Sequence, residues 1–289
     1  MFHVQKISSF GAPELQPYAT LRRPLEHRQQ GIFVAESERV VRRLLKSHFT
    51  IVSLCMPEKH LEDFRADLDA RTESIAVYLA PRQLLESLTG YSVFQGIFAV
   101  GKIPRLPSLD EIFQKSPAPK LFVAVDQMAN AENLGALVRN CAAFGVHGLI
   151  VGETSSSPYL RRAVRNSMGT IFDLPIFEIE TVRNADPTLR RDDPARQLTL
   201  VQVLADLRQR GVRCIAAHPH TDKRILSQAD FTGDCCIVVG NEGDGLSPEV
   251  LAACDEAVAI PMPAHVDSLN VGAAAAIFLY EAARQRGKT

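Results

Sequence analysis

The sequence lacks an apolar run long enough to cross a membrane, and it lacks a surplus of either charge. Its 289 residues are 46% hydrophobic and 22% charged, with a formal net charge of -1. No apolar run approaches the roughly 20 residues that span a bilayer, and the opening "MFHVQKISSF" has no apolar core typical of a signal peptide. We therefore expect a cytoplasmic protein without a membrane segment, in which any nucleic-acid site is a local patch.

The cysteines lack the spacing of a metal site. The chain has six of them, with no Cys-x-x-Cys pair and no His-x-Cys spacing. Buried free thiols are the expected state, and we expect no metal.

The division of the chain follows from its prolines and its hydrophobic pattern. The stretch "GKIPRLPSLDEIFQKSPAPK" holds four prolines, which predicts a linker at 101–119 between a small α/β domain at 1–100 and a second domain at 120–289. In the second domain, apolar strands alternate with helical segments, which predicts a parallel sheet covered on both faces. Ligands of such sheets bind outside the carboxyl ends of the strands.

The first segment that indicates a site is "DQMANAENLGALVRNCAAFGV". Asn133 is a good N-cap and Gly145 a good terminator for a helix near 134–144. Arg139 falls outside the apolar stripe of this helix. It is therefore either a solvated surface residue or a group that reaches over a ligand.

The second segment is "CCIVVGNEGDGLSPEV", in which a buried strand opens into a glycine-rich loop. Three glycines in the six residues from Gly240 to Gly245 indicate backbone that approaches something closely, although a tight turn remains open. The order differs from the dinucleotide fingerprint, and no Gly-Lys-Ser/Thr of a P-loop follows. Because Glu242 and Asp244 would repel an anion, the loop favours a neutral or cationic ligand.

The third segment is "IPMPAHVDSLNVGAAAAIFLYEAAR". Pro261 and Pro263 stop a strand, and Asn270 or Ser268 can cap the helix that follows. Its alanines predict close packing against a bulky neighbour.

Together and in this order, the three segments resemble the SpoU/TrmH family of RNA ribose 2′-O-methyltransferases, within the SPOUT superfamily. The stretch "YLRRAVRNSMGTIFDLPI" is similar to the family's link between its first two motifs. The stretch "GIFVAESERVVRRLL" resembles the small RNA-binding domain that many members carry. The resemblance implies an α/β fold with a C-terminal trefoil knot, S-adenosylmethionine as cofactor, methyl transfer to a ribose 2′-hydroxyl of rRNA or tRNA, and a homodimer.

The resemblance also implies roles for individual residues. The implied catalytic group is Arg139, Asn133, Glu242, Ser268 and Asn270. The implied cofactor-binding group is Gly240, Asn241, Glu242, Gly243, Ile260, Pro261, Met262, Ser268, Leu269 and Asn270. For RNA capture we expect Arg139, Arg161, Arg162, Arg165, Arg22, Arg23, Arg28, Arg42 and Arg43.

The role of Arg139 stays open between a base and a phosphate clamp. A guanidinium rarely gives up its proton near neutral pH, which favours the clamp. Where many members have a serine, this chain has Gly272.

Two other functions remain open. A SPOUT-fold RNA-binding protein without catalysis is opposed by the presence of Arg139, Glu242, Ser268 and Asn270. A nucleotide-dependent enzyme with phosphate in the glycine loop is opposed by the acids of that loop and by its missing lysine.

Overall fold

The computed structural model describes residues 1–89, 96–179, 198–219, 224–263 and 265–287. The chain forms two compact units, of which unit 1 combines Met1–Arg105 with Pro158–Asp173 and unit 2 combines Leu106–Ser157 with Leu174–Thr289. Among the described residues, no helix has the length and apolar character that a membrane span requires.

Unit 1 is built on a five-stranded sheet in the order β1-β4-β3-β5-β2. Strands β1, β4 and β3 pair in parallel, whereas β5 runs antiparallel to β3 and to β2. Its strands and helices are β1 Phe2–Lys6, α1 Gln16–Ala19, α2 Pro24–Gln29, β2 Ile32–Glu36, α3 Glu38–Lys46, β3 Ile51–Met56, α4 Leu61–Asp69, β4 Ile75–Leu79, α5 Arg82–Thr89, β5 Phe98–Lys102 and, from the later segment, α8 Arg161–Asn166.

The segment from 158 to 173 belongs to unit 1, although the sequence places it between two strands of unit 2. Helix α8 packs against β2, which is an edge strand of the first sheet. The ring of Phe33 on β2 lies 5.9 Å from the ring of Tyr159 and 5.7 Å from that of Phe172. These ring contacts bury Phe33 and hold the segment on unit 1.

Unit 2 contains a six-stranded sheet in the order β11-β9-β10-β6-β7-β8. Every recorded pairing in it is parallel, which confirms the predicted parallel sheet. Its strands and helices are α6 Leu109–Lys115, β6 Leu121–Val125, α7 Ala131–Ala143, β7 Gly148–Val151, β8 Ile176–Glu178, α9 Leu200–Gln209, β9 Arg213–Ala217, β10 Cys235–Val239, α10 Pro248–Ala253, β11 Glu256–Val258 and α11 Val271–Gln285.

The stretch predicted to be a linker contains the helix α6. Ser108 and Glu111 form a capping box at its start, and Leu109 and Ile112 are buried in the core of unit 2. The prolines of this stretch lie on both sides of the helix and do not interrupt it. The number of prolines therefore predicted a linker at a place where the chain forms a helix.

Helix α11 packs closely against α7, as its small residues predict. A Cβ added at Gly272 would lie 3.4 Å from the Cβ of Ala136, and the Asn140 Nδ2 donates to the Gly272 carbonyl oxygen at 2.7 Å. At the other end of α11, the Arg286 guanidinium donates to the carbonyl oxygens of Phe231 at 2.7 Å and Gly233 at 2.6 Å. These bonds fix both ends of α11 on unit 2.

Candidate active site

The candidate site of unit 2 lies where the neighbouring strands β6 and β10 end. The Asp126 backbone N–H continues their ladder by donating to the Val239 carbonyl oxygen at 2.9 Å. The buried Asp126 carboxylate accepts from the Ser247 backbone N–H at 2.8 Å and from the Ser247 hydroxyl at 2.7 Å. Asp126 therefore anchors the segment that follows the glycine loop. Asp126 was not among the residues predicted for the site, although an acid directly after a buried strand is a usable signal.

The glycine loop is a tight hairpin from Asn241 to Gly245. The two residues exchange backbone hydrogen bonds of 2.9 and 3.1 Å, and Gly245 has a φ of +72°. A Cβ at Gly240 would lie 2.1 Å from the Gly245 carbonyl carbon, a distance no real side chain tolerates. The close approach that Gly240 permits is thus to the hairpin's own backbone, as the tight-turn alternative predicted.

Asn133 does not cap α7, so that prediction is wrong. The cap is Asn130, whose Oδ1 accepts from the backbone N–H groups of Glu132 at 2.8 Å and Asn133 at 3.4 Å. Asn133 sits one turn inside the helix, which leaves its amide available for other partners. Its Nδ2 donates to the Glu242 carboxylate, and its Oδ1 accepts from the Asn270 Nδ2 at 3.1 Å.

Asn270 also caps α11, which confirms one of the two predicted caps. Its Oδ1 accepts from the backbone N–H groups of Gly272 at 2.9 Å and Ala273 at 3.4 Å. Ser268 is exposed and makes no recorded side-chain hydrogen bond within the described part of the chain. The side chains of Glu242, Asn133 and Asn270 therefore join the three sequence segments, while Ser268 stays outside their network.

Arg139 lies on an exposed face of α7. By helix geometry its side chain points about 120° away from that of Asn133. Within the described ranges, no hydrogen bond or ion pair to another side chain is recorded for it. Its charge is therefore available to a ligand outside the protein.

The expected cofactor segment also follows a strand end, since Ile260, Pro261 and Met262 begin two residues after the end of β11. Ile260 and Met262 are half-buried and Pro261 is exposed. Further along, no described acceptor is recorded for the backbone N–H groups of Ser268 and Leu269. The segment thus offers backbone donors and partly covered apolar surface to a ligand.

Two cysteines of unit 2 have thiols with raised pKa values. Burial raises the pKa of Cys254 to about 12 and that of Cys235 to about 11, so both thiols stay protonated at neutral pH. Among the residues that the structure describes, no group of three or more His, Cys, Asp or Glu side chains could hold a metal ion.

The arginines expected to capture RNA, apart from Arg139, all lie in unit 1. Arg161 and Arg165 pair with the buried carboxylate of Glu36. Arg42 pairs with Glu38 and Asp67, and it lies over the ring of Phe64.

The remaining arginines expected to capture RNA differ in their ion pairs and in their exposure. Arg43 lies 3.9 Å from Asp173, and Arg23 pairs with Glu26 at 3.1 Å. Arg22 and Arg162 are exposed, and Arg28 is half-buried.

The hairpin geometry gives a stability prediction for Gly240→Ala. The new methyl group would clash with backbone on the far side of the hairpin, so we expect a loss of about 1–3 kcal/mol in the free energy of unfolding, measured by urea denaturation. Gly243→Ala is the matched control, because its Cβ would meet only the Asn241 Oδ1 at 3.4 Å; we expect a change under about 0.5 kcal/mol. Equal stability of the two variants would contradict this account of the loop.

The sequence of unit 2 matches a known family of proteins. The model of the SpoU rRNA Methylase family matches residues 120–280. A Mycolicibacterium paratuberculosis protein named "Uncharacterized tRNA/rRNA methyltransferase" is 34% identical over 220 residues, which are 75% of this chain and 65% of that relative. The match thus spans slightly less than two thirds of the relative's length.

Solved structures are similar over nearly the whole chain. The SpoU methyltransferase AviRb from Streptomyces viridochromogenes, in complex with AdoMet, is 25% identical with a TM-score of 0.77, over 95% of this chain and 98% of that one. An RNA 2′-O ribose methyltransferase is 25% identical with a TM-score of 0.77, over 98% and 99% of the two chains. Because the family model matches more than half of the chain, this chain belongs to the SpoU rRNA methylase family.

Proposed function

We propose that this protein is an S-adenosylmethionine-dependent methyltransferase that modifies a ribose 2′-hydroxyl of rRNA or tRNA. The observation that carries the proposal is the network in which Asn133 joins Glu242 and Asn270. It brings one polar side chain from each family motif to the carboxyl ends of β6 and β10, where parallel sheets place their ligands. The similar structures of an AdoMet complex and of a 2′-O ribose methyltransferase support the cofactor and the reaction.

The residues present fit the cofactor. When bound, S-adenosylmethionine supplies a methyl group activated by a positively charged sulfur. The exposed carboxylates of Glu242 and Asp244 favour a cation over an anion at this loop. The backbone N–H groups near Leu269 would bind polar atoms of the ligand, while Ile260 and Met262 would contact its apolar parts.

Side chains of unit 2 orient the reacting ribose. Arg139 holds the phosphate next to it, which limits the motion of the hydroxyl oxygen and raises the fraction of correctly aligned complexes. Asn133 holds the side chains of Glu242 and Asn270 at fixed positions. We assign Arg139 the clamp and not the base, because loss of a guanidinium proton costs too much near neutral pH.

The trefoil knot is part of this proposal. Strand β11 lies at the edge of the sheet, two strands away from β10. The segment from 259 to 270 must nevertheless lead to α11, which packs on α7 beside the ends of β6 and β10. The chain must therefore cross from the edge of the sheet back to its central strands, and a knotted C-terminus requires such a crossing.

The function is tested by transfer of a labelled methyl group from S-adenosylmethionine to ribosomal and transfer RNA, followed by nuclease digestion to identify 2′-O-methylated nucleosides. We expect Arg139→Ala to lower transfer by about 10²-fold or more, on the scale of lost positioning. Cofactor affinity, measured by calorimetry, should stay nearly unchanged.

Arg208→Ala is the control for this variant, because Arg208 is an arginine of unit 2 paired with Asp255 on the sheet edge. It should keep full turnover. Full turnover of Arg139→Ala would remove Arg139 from the mechanism, and a label found only on bases would contradict ribose transfer.

We also propose that the protein is a homodimer. Large apolar side chains are exposed on α11, at Ile277 and Tyr280, and in the loop before it, at Leu269. Ile277 and Tyr280 are three residues apart, which places them on one face of the helix, and exposed apolar side chains that share a face mark an interaction surface. This face is continuous with Asn270, so a second copy bound here would lie beside the active site.

The dimer is tested by light scattering after size exclusion of the double variant Ile277→Glu and Tyr280→Glu. Two carboxylates in an apolar interface would be desolvated, so we expect a monomer at concentrations where the unmodified protein is a dimer. Leu25→Glu, at an exposed apolar position of unit 1, should leave the mass unchanged. A monomeric unmodified protein would refute the dimer.

A further inference from the structure

Two asparagines of α7 hold the start of α11. Asn133 and Asn140 are seven residues apart, which is close to two helical turns, so they share one face of α7. The Asn133 Oδ1 accepts from the Asn270 Nδ2 at 3.1 Å, and the Asn140 Nδ2 donates to the Gly272 carbonyl oxygen at 2.7 Å. The start of α11 is therefore bonded at two points along the axis of α7.

Ala136 lies between the two asparagines on the same face of α7. A Cβ added at Gly272 would lie 3.4 Å from the Ala136 Cβ and 3.1 Å from the Asn270 Oδ1, so the missing side chain lets the backbone of α11 approach α7. Gly272 is buried and Asn140 is half-buried. The hydrogen bond between them is thus partly shielded from water, and a shielded hydrogen bond holds its partners more strongly than an exposed one.

These two hydrogen bonds fix the rotation of α7 about its own axis. Leu134, Leu137 and Val138 are buried and keep one face of the helix in the core, but apolar packing has no direction. A hydrogen bond, in contrast, weakens steeply as its angle departs from linearity. Because the two bonds are about two turns apart, a roll of α7 would distort at least one of them.

The rotation of α7 decides where the side chain of Arg139 points. Arg139 precedes Asn140, and by helix geometry the two side chains leave the helix about 100° apart. A roll of about 10° moves an atom that lies about 6 Å from the helix axis by about 1 Å. A misplacement of this size costs about 10²-fold in rate when it affects the geometry of reacting groups.

We infer that Asn140 is a positioning residue for methyl transfer, which acts by fixing the direction of Arg139. The inference rests on the proposed function, in which Arg139 holds the phosphate next to the reacting ribose. It adds a residue to the groups that the resemblance implies. The role of Asn140 is indirect, because its recorded bond is to the backbone of α11.

The test is a double-mutant cycle on single-turnover methyl transfer to ribosomal and transfer RNA, at saturating S-adenosylmethionine. We expect Asn140→Ala to lower the rate constant by about 10-fold, because α11 no longer fixes the rotation of α7. In the Arg139→Ala background, the same substitution should change the rate constant by less than about 2-fold, since the group that it misplaces is already absent. A residue that only stabilised the fold would have the same effect in both backgrounds.

Asn140→Asp is the second variant, because it keeps the shape of the side chain and removes only the donor. A carboxylate oxygen would then face the Gly272 carbonyl oxygen, so we expect transfer to fall at least as much as in Asn140→Ala. This variant tests the same bond if Asn140→Ala does not fold.

Gln285→Ala is the matched control. The Gln285 Nε2 also donates to a backbone carbonyl oxygen of unit 2, that of Ala229 at 2.8 Å, but from the opposite end of α11. Its loss should lower the thermal unfolding midpoint at least as much as Asn140→Ala does, and it should leave the rate constant unchanged.

Three results would overturn the positioning role. Asn140→Ala could transfer methyl groups as fast as the unmodified protein, it could slow transfer equally in both backgrounds, or Gln285→Ala could slow transfer to the same extent. Absence of transfer by the unmodified protein is a different result, which overturns the proposed function and the positioning role with it.

Discussion

The amide of Asn133 is the contact on which the site depends. An amide donates and accepts at the same time, so one side chain on α7 can hold a carboxylate of the glycine hairpin and an amide at the start of α11. Asn270 in turn uses its oxygen to cap α11, and α11 is packed on α7 through Gly272. Each segment is thus positioned by the other two, and a shift in one would be transmitted to the whole site.

Motif resemblance named three residues that the structure brings together, but it did not predict their contacts. Glu242, Asn133 and Asn270 could be named from motif resemblance, and the cap at Asn270 from local chemistry. The role of Asn133 could not be predicted, since Asn130 is an equally good cap three residues earlier and only the start of α7 decides between them. The glycine spacing predicted that another group lies close to Gly240, but only the structure shows that this group is the backbone of Gly245 in the same hairpin.

Tertiary packing also overrode two predictions about organisation. Prolines around 101–119 indicated a connection, yet the apolar residues between them bury α6 in unit 2. The segment from 158 to 173 reads as part of the second domain, but its aromatic rings pack with Phe33 in unit 1. A local pattern gives no information about which of two cores will bury an apolar side chain. The arginines expected to capture RNA, apart from Arg139, therefore lie in unit 1, whereas the proposed chemistry lies in unit 2.

The most direct test of this account is a calorimetric titration of the protein and of Asn133→Asp with S-adenosylmethionine. The substitution keeps the shape of the side chain and an oxygen that accepts from Asn270, but it replaces the donor to Glu242 with a carboxylate oxygen. The glycine hairpin is therefore repelled and loses its link to the start of α11. We predict saturable binding by the unmodified protein, and affinity lower by about 10-fold or more in a variant that remains folded. Equal affinity of the two proteins would show that the network does not shape the cofactor site, and absence of binding by the unmodified protein would contradict the cofactor itself.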